Sequence, residues 1–267
     1  MAELTREQLE AMGLNEEQIN AVLGVIYGSN TIQMPFPIAK VNYDSELAPV
    51  GVWAINPVKD DEGNVVSYDK VLSNPVKMRF LKSLFQYSKF DADLGKKVVT
   101  SNIFEMRNIA NAYDLKTGVA IVQLKEEQEG IKLQRISLIE FIDDSGDKFY
   151  AIAYIKGAYL FNLNNIIQKY SGEGHLSKIF TIKNVKEKKG AVIYFVPELV
   201  EVEDYDIMQS IKEDAEKINK FIKWAKDYNN LYNKLRSEQI GAGSIESEAT
   251  VESGDNIDLN VEVDEIF

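Results

Sequence analysis

The chain has 267 residues, 45% hydrophobic and 27% charged, with 42 acids against 30 bases and no cysteine. That length gives room for one large domain, or one domain with appendages. The composition excludes disulfides and Cys-containing zinc sites and fits a reducing cytoplasm, and no apolar run approaches the roughly 18 residues that span a bilayer. The first residues, MAELTREQLEAMG, lack a basic stretch followed by an apolar one, so no signal peptide is expected.

Residues 4–27 carry a capping-box spacing at Thr5 and Gln8. Apolar residues recur at helical spacing on either side of Gly13 and Asn15, which predicts a helical hairpin over 1–30. Pro35 and Pro37 end that pattern. From there to about residue 203 the signal is mainly β. Strands are predicted at 50–56, 76–90, 96–104, 118–124, 131–142, 148–155, 175–185 and 190–200. DDEGN and DDSGD supply turns, and a short helix is expected over 160–171. Short turn-separated strands with one inserted helix predict an α+β chain with a mainly antiparallel β body, specifically an OB-fold-like barrel over 35–203.

Residues 204–236 read as a long packing helix. Asp204 and Asp206 offer N-cap chemistry, and the stripe Ile207, Ile211, Ala215, Ile218, Phe221, Ile222, Ala225, Tyr228 and Tyr232 supplies the buried face. Lysines 212, 217, 220, 223 and 226 lie on or beside the other face. Residues 237–267 read as a disordered acidic tail: from 239 onward there are eight carboxylates and no Lys or Arg. The remaining 238 residues hold 34 acids and 30 bases. The overall acidity therefore hides a nearly neutral body with basic stretches.

Catalytic motifs are sparse. The one histidine, His175, lies in a loop-like setting and is read as solvated or structural. No phosphate-cradling glycine motif is present. The pairs Asp91 with Asp93 and Asp143 with Asp144, together with Glu187, would form a metal-dependent nuclease site only by converging in one cleft. Turn chemistry explains the Asp pairs more simply. The expectation is no enzyme activity, no catalytic residue, no metal and no cofactor.

Two segments mix cations with aromatics. Lys70–Arg107 has eight bases against three acids, and Lys156–Lys189 has seven against two. Single-stranded nucleic acid needs both residue types, cations for phosphates and ring faces for splayed bases. The candidate nucleic-acid-binding residues are Lys77, Arg79, Phe80, Lys82, Phe85, Tyr87, Lys89, Lys96 and Lys97 in the first segment. In the second they are Lys156, Tyr159, Lys178, Phe180 and Lys183. Phe90 and Phe161 also lie within the two segments. The competing explanation is that the aromatics fill a core while the lysines line a wet face.

The tail adds a second signal. A barrel-like body, an acidic arm and the final residues Asp264, Glu265, Ile266 and Phe267 resemble single-stranded-DNA-binding proteins of bacteria and their phages. The phage type is the nearer comparison, because residues 82–105 also look like stretches of replication-associated phage proteins. Where the bacterial tip has Pro before Phe, this chain has Ile266. The resemblance implies a protein of DNA replication, recombination and repair in the host cytoplasm, with no membrane association. It would coat single-stranded DNA or RNA and recruit replication or recombination partners through Asp264, Glu265, Ile266 and Phe267. The alternative is a phage virion, assembly or adaptor protein that binds no nucleic acid. Cations scattered over both faces of the body would favour that alternative.

Overall fold

A computed structural model describes residues 32–43, 45–60, 64–92, 94–170 and 175–241, with side chains to residue 237. The expected helical hairpin at 1–30 and the acidic tail beyond residue 241 lie outside the described residues. The described part is α+β and is dominated by one strongly curled, half-barrel sheet.

The strands are β1 (Ile38–Val41), β2 (Trp53–Lys59), β3 (Val65–Val71), β4 (Val76–Asp91), β5 (Lys96–Thr100), β6 (Lys132–Ile142), β7 (Lys148–Ile155), β8 (Lys178–Lys189) and β9 (Val192–Asp204). The helices are α1 (Ile121–Glu127), α2 (Gly157–Gln168) and α3 (Ile211–Gly241). Eight strands follow the order β3-β2-β1-β7-β6-β4-β8-β9, and β5 pairs with β4 off that path. Every pair is antiparallel except β1 with β7.

The long central strand β4 organises the sheet. Its register with β6 shifts between Phe80 and Lys82, a bulge that seats Leu81 as an extra residue. The two faces of β4 and β6 carry different layers. Met78, Phe80, Ile139 and Phe141 meet Tyr159, Leu160, Leu163, Ile166 and Ile167 of α2. Leu84, Ile136 and Leu138 meet Phe221, Trp224 and Ala225 of α3, and Leu81 joins them. A third cluster, around Phe85, Tyr87, Val99, Phe104, Ile121 and Leu124, closes the far end of β4 over β5 and α1.

Several expectations are corrected. The run 118–124 is not a strand. Ile121 and Leu124 are buried at helical spacing while Val122 is exposed, and the segment forms α1. Asp204 does not cap the long helix. It ends β9 and pairs with Lys178 at 2.6 Å. Asp206 caps a 3-10 turn at Ile207–Gln209, accepting from the Met208 N–H, and α3 begins only at Ile211. Within the expected stripe, Ile211 and Ala215 are exposed, while Trp224, absent from that stripe, is buried. The strand expected from 175 starts at Lys178, after a 3-10 turn at His175–Ser177.

Polar contacts pin α3 along its length. Asn229 both accepts from the Ile103 N–H (2.7 Å) and donates to its C=O (2.8 Å). Further on, Asn233 meets the Tyr113 hydroxyl. At the start of the helix lies a buried charge network. Arg79 donates from Nε to Glu140 (2.8 Å) and from its two Nη atoms to Asp214 (2.6 and 2.8 Å). All three side chains are sealed from solvent. Burial opposes the charge of Arg79, but its hydrogen bonds to Asp214 and Glu140 outweigh that and raise its pKa. Tyr150 donates to Glu140 (2.9 Å), and Lys148 stands 3.5 Å from the same carboxylate.

Removing Arg79 alone strands two buried carboxylates. Arg79→Met is expected to cost about 3–5 kcal/mol in a urea unfolding curve. The triple change Arg79→Met, Glu140→Leu, Asp214→Leu is expected to recover most of that loss. A triple variant no more stable than the single one contradicts this account.

Candidate nucleic-acid interface

The described positions of the candidate residues divide into three groups. The first is core. Phe80 and Phe180 are 0% exposed and pack edge-to-face on each other, with ring centroids 5.8 Å apart. Tyr159 is buried against Trp53 and donates to Asn184 at 2.7 Å. Phe85 and Tyr87 lie in the third cluster, where Tyr87 faces Phe104. These five rings are buried among neighbouring side chains, and of them only Phe85 also borders the cavity described below. Arg79 is likewise interior, held by Glu140 and Asp214.

In the second group, cations are already neutralised. Lys77 is ion-paired with Glu203 at 2.5 Å, Lys82 with Glu105 at 2.8 Å, and Lys178 with Asp204 at 2.6 Å. The hydrogen bond from Lys82, followed by its charge, holds the Glu105 carboxyl below its ordinary range. Lys89 leans toward Gln128 at 3.5 Å.

The third group reaches solvent. Lys96, Lys97 and Lys183 are exposed, and Lys156 is half-buried ahead of α2. Lys97 lies on β5 opposite Phe90 of β4 in the register. Although more than a third of Lys97 is exposed, crowding around its ammonium and then the like charge of Lys156 lower its pKa. Lysines from the two basic segments therefore sit within Coulombic range of each other. The segments also meet directly, because Val76–Met78 of β4 pairs with Phe180–Ile182 of β8. Two of their aromatics remain on the surface: Phe161 of α2 is 67% exposed and Phe90 is 38% exposed.

Beside this region is a cavity of about 490 Å³. Its polar lining is Lys82, Ser83, Arg135, Asn164, Gln168 and His175. Sequence reasoning passed over Arg135, which lies between the two basic segments. The available signal was that, at a period of two, Arg135 falls on the same face of the strand IKLQRISLIEFI as the core-facing Ile139 and Phe141. His175, expected in a loop, instead lines this cavity from a short 3-10 turn and is half-buried. Burial first, then the positive charges of Arg135 and Lys82, push its pKa below the ordinary 6.5.

The candidate metal carboxylates do not converge. Asp143 is bound to Lys70 (2.7 Å) and to Ser145 and the Asp147 N–H of its own turn. Asp144 accepts from Ser73, and Asp91 from the Leu94 N–H. Glu187 is exposed on β8. Asp93 lies outside the described residues. Among the described residues, no group of three or more His or acidic side chains is placed to hold a metal ion, and no helix is long and apolar enough to cross a membrane. Comparison of the chain with family models, curated proteins and solved structures finds no match.

Phe80→Ala and Phe180→Ala are expected to act through stability, each costing about 3–5 kcal/mol in chemical denaturation. A variant at either position that unfolds at the wild-type denaturant concentration contradicts their place in the core.

Proposed function

We propose that this chain binds single-stranded nucleic acid, DNA in the first instance, in replication, recombination or repair, and that it is not an enzyme. The observation that carries the reading is the meeting of the two basic segments. Exposed Lys96 and Lys97 lie on β5 with Phe90 opposite Lys97, and Lys156 is within electrostatic reach ahead of the helix that exposes Phe161. Cations for phosphates and free ring faces for bases are the chemistry a single strand requires. The stacking rings in this reading are Phe90 and Phe161. Phe80, Phe85, Tyr87, Tyr159 and Phe180 build the scaffold beneath them.

The curled half-barrel is read as an OB-like barrel, a form that presents one sheet face and its connecting loops to nucleic acid. The acidic arm supports the same reading from sequence. Its tip, Asp264, Glu265, Ile266 and Phe267, pairs carboxylates with large apolar groups and would recruit replication or recombination proteins. The arm also competes with the strand for the basic surface at high effective concentration.

One observation favours the alternative of a virion, assembly or adaptor protein. Lys77, Lys82 and Lys178 are neutralised by acids, and Arg79 is interior. The two readings separate on a titration of labelled oligo-dT at several salt concentrations. Under the nucleic-acid reading, affinity falls steeply with salt. Changing Lys96, Lys97 and Lys156 together to Gln weakens binding by at least tenfold and flattens the salt slope. Phe90→Ala and Phe161→Ala weaken it by roughly 1–3 kcal/mol each. Lys77→Gln and Lys178→Gln leave it nearly unchanged. Deleting residues 255–267 preserves or tightens strand binding and abolishes partner capture. No binding at low salt, with or without the tail, leaves the adaptor reading in possession.

A further inference from the structure

Two arginines on neighbouring strands are buried, and they are treated in opposite ways. Arg79 is matched by two carboxylates. Arg135, only 7% exposed, has no carboxylate within ion-pairing distance among the described residues. Its hydrogen-bond partners are all neutral. Nε donates to Ser83 (2.8 Å) and Ser137 (3.1 Å), and Nη1 donates to Asn164 (2.8 Å). Burial alone lowers the pKa of Arg135, to about 10, with no acid to offset it. The group therefore stays charged at neutral pH, and among the described residues that charge is met by neutral hydrogen-bond partners and the Phe80 ring, 5.7 Å away, rather than by a carboxylate.

Arg135 does not sit in packed apolar core, however. It lines the 490 Å³ cavity at the β4 bulge. That cavity falls within the usual range for small-molecule sites. Lys82, the Ser83 hydroxyl and the His175 imidazole line it too. The rest of the lining is apolar: Leu81, Phe85, Met106, Ile167, Leu176 and Ile218. A guanidinium, a hydroxyl and an imidazole suit a tetrahedral oxyanion, and Lys82, paired with Glu105, stands beside them. The apolar wall suits an organic group attached to it.

We infer that this cavity is a binding site for a phosphate monoester carrying an apolar or planar body, of the size of a mononucleotide, with Arg135 as the anchoring cation. The site does not require the strand-binding reading. Its chemistry is met equally by a free nucleotide or by the terminal phosphate of a strand. Three charged groups bear on His175 and on the ligand: Arg135 from β6, Lys82 from β4, and Glu105, which draws on the Lys82 charge. A bound dianion opposes the depression of the His175 pKa, so His175 takes up a proton on binding and its share of the affinity grows as pH falls, until near pH ~6 the monoester itself protonates and offsets the gain.

His175 is the one histidine of the chain, so its imidazole resonance reports on this cavity alone. The test follows that resonance in the full-length protein, at constant ionic strength, while inorganic phosphate, thymidine 5′-monophosphate or thymidine replaces chloride. The expected result is that phosphate and the monophosphate shift the resonance and raise the His175 pKa, that the monophosphate acts at least tenfold more tightly than phosphate, and that thymidine has little effect. Arg135→Gln is expected to raise the unliganded His175 pKa, to weaken both phosphates at least tenfold, and to melt no lower than wild type. Lys116→Gln, at an exposed position outside both basic segments and outside the cavity lining, changes none of these readouts. A 5′-phosphorylated oligonucleotide that outcompetes its unphosphorylated form points to a strand terminus as the source, and equal competition points to the free nucleotide. The inference is overturned if phosphate and monophosphate move the resonance no more than chloride does, if Arg135→Gln retains the response, or if that variant melts well below wild type. A protein that ignores oligo-dT yet shows the phosphate response loses the strand reading and keeps the pocket.

Discussion

The fold depends on one buried charge network. Arg79, in the middle of β4, must find anions once the sheet closes over it, and it finds them in Glu140 of the paired strand and Asp214 of α3. Glu140 is set directly opposite by the strand register, so β4 and β6 supply the first ion pair by themselves. The second requires α3 to dock, with Asp214 delivered at the helix start and Phe221, Trp224 and Ala225 following onto the sheet. Apolar packing supplies most of the attraction, but it is tolerant of sliding. The charge network is not tolerant, because a helix displaced by one turn would leave Arg79 with an unmatched charge in the interior. The Asn229 clamp on the Ile103 backbone repeats the same logic with neutral groups further along the helix.

That constraint also frames the contrast between the two arginines. A protein that can neutralise one interior guanidinium so fully has no general difficulty in doing so. Arg135, a short distance along the same sheet, is given hydroxyls and an amide but no carboxylate among the described residues. The bulge in β4 lies beside it and places Lys82 and Ser83 at the cavity. Local irregularity, an open cavity and an unbalanced positive charge coincide at one place in an otherwise regular sheet.

Much of the secondary structure was legible, because period-two alternation and turn residues are local signals. The DDSGD turn, the inserted helix and the long final helix appear near their expected places. The α1 error was also local: GVAIVQL is apolar enough for either state, and only burial of Ile121 and Leu124 with Val122 outward decides it. The candidate interface was less legible for a non-local reason. Lys77 and Glu203 lie 126 positions apart in sequence, and Arg79 and Asp214 lie 135 apart, so nothing near those cations announced that they were already matched. The aromatics posed the same difficulty. Phe80 and Phe90 look alike in sequence, yet one lies under α2 and the other ends the strand in solvent.

A half-barrel, unlike a closed one, leaves its two end strands with an unpaired rim, here β3 and β9 among the described strands, and the branch strand β5 is a further edge. Such rims invite the strands of other molecules. β9 carries Glu198, Glu201, Glu203 and Asp204 along its second half, with Pro197, which has no N–H to donate, immediately before them. A second copy of this strand laid alongside would bring like charges into close opposition. Glu203 and Asp204 face inward to Lys77 and Lys178, and Glu198 and Glu201 add the negative charge that opposes edge-to-edge assembly. The same sheet can remain open at its rim without polymerising there.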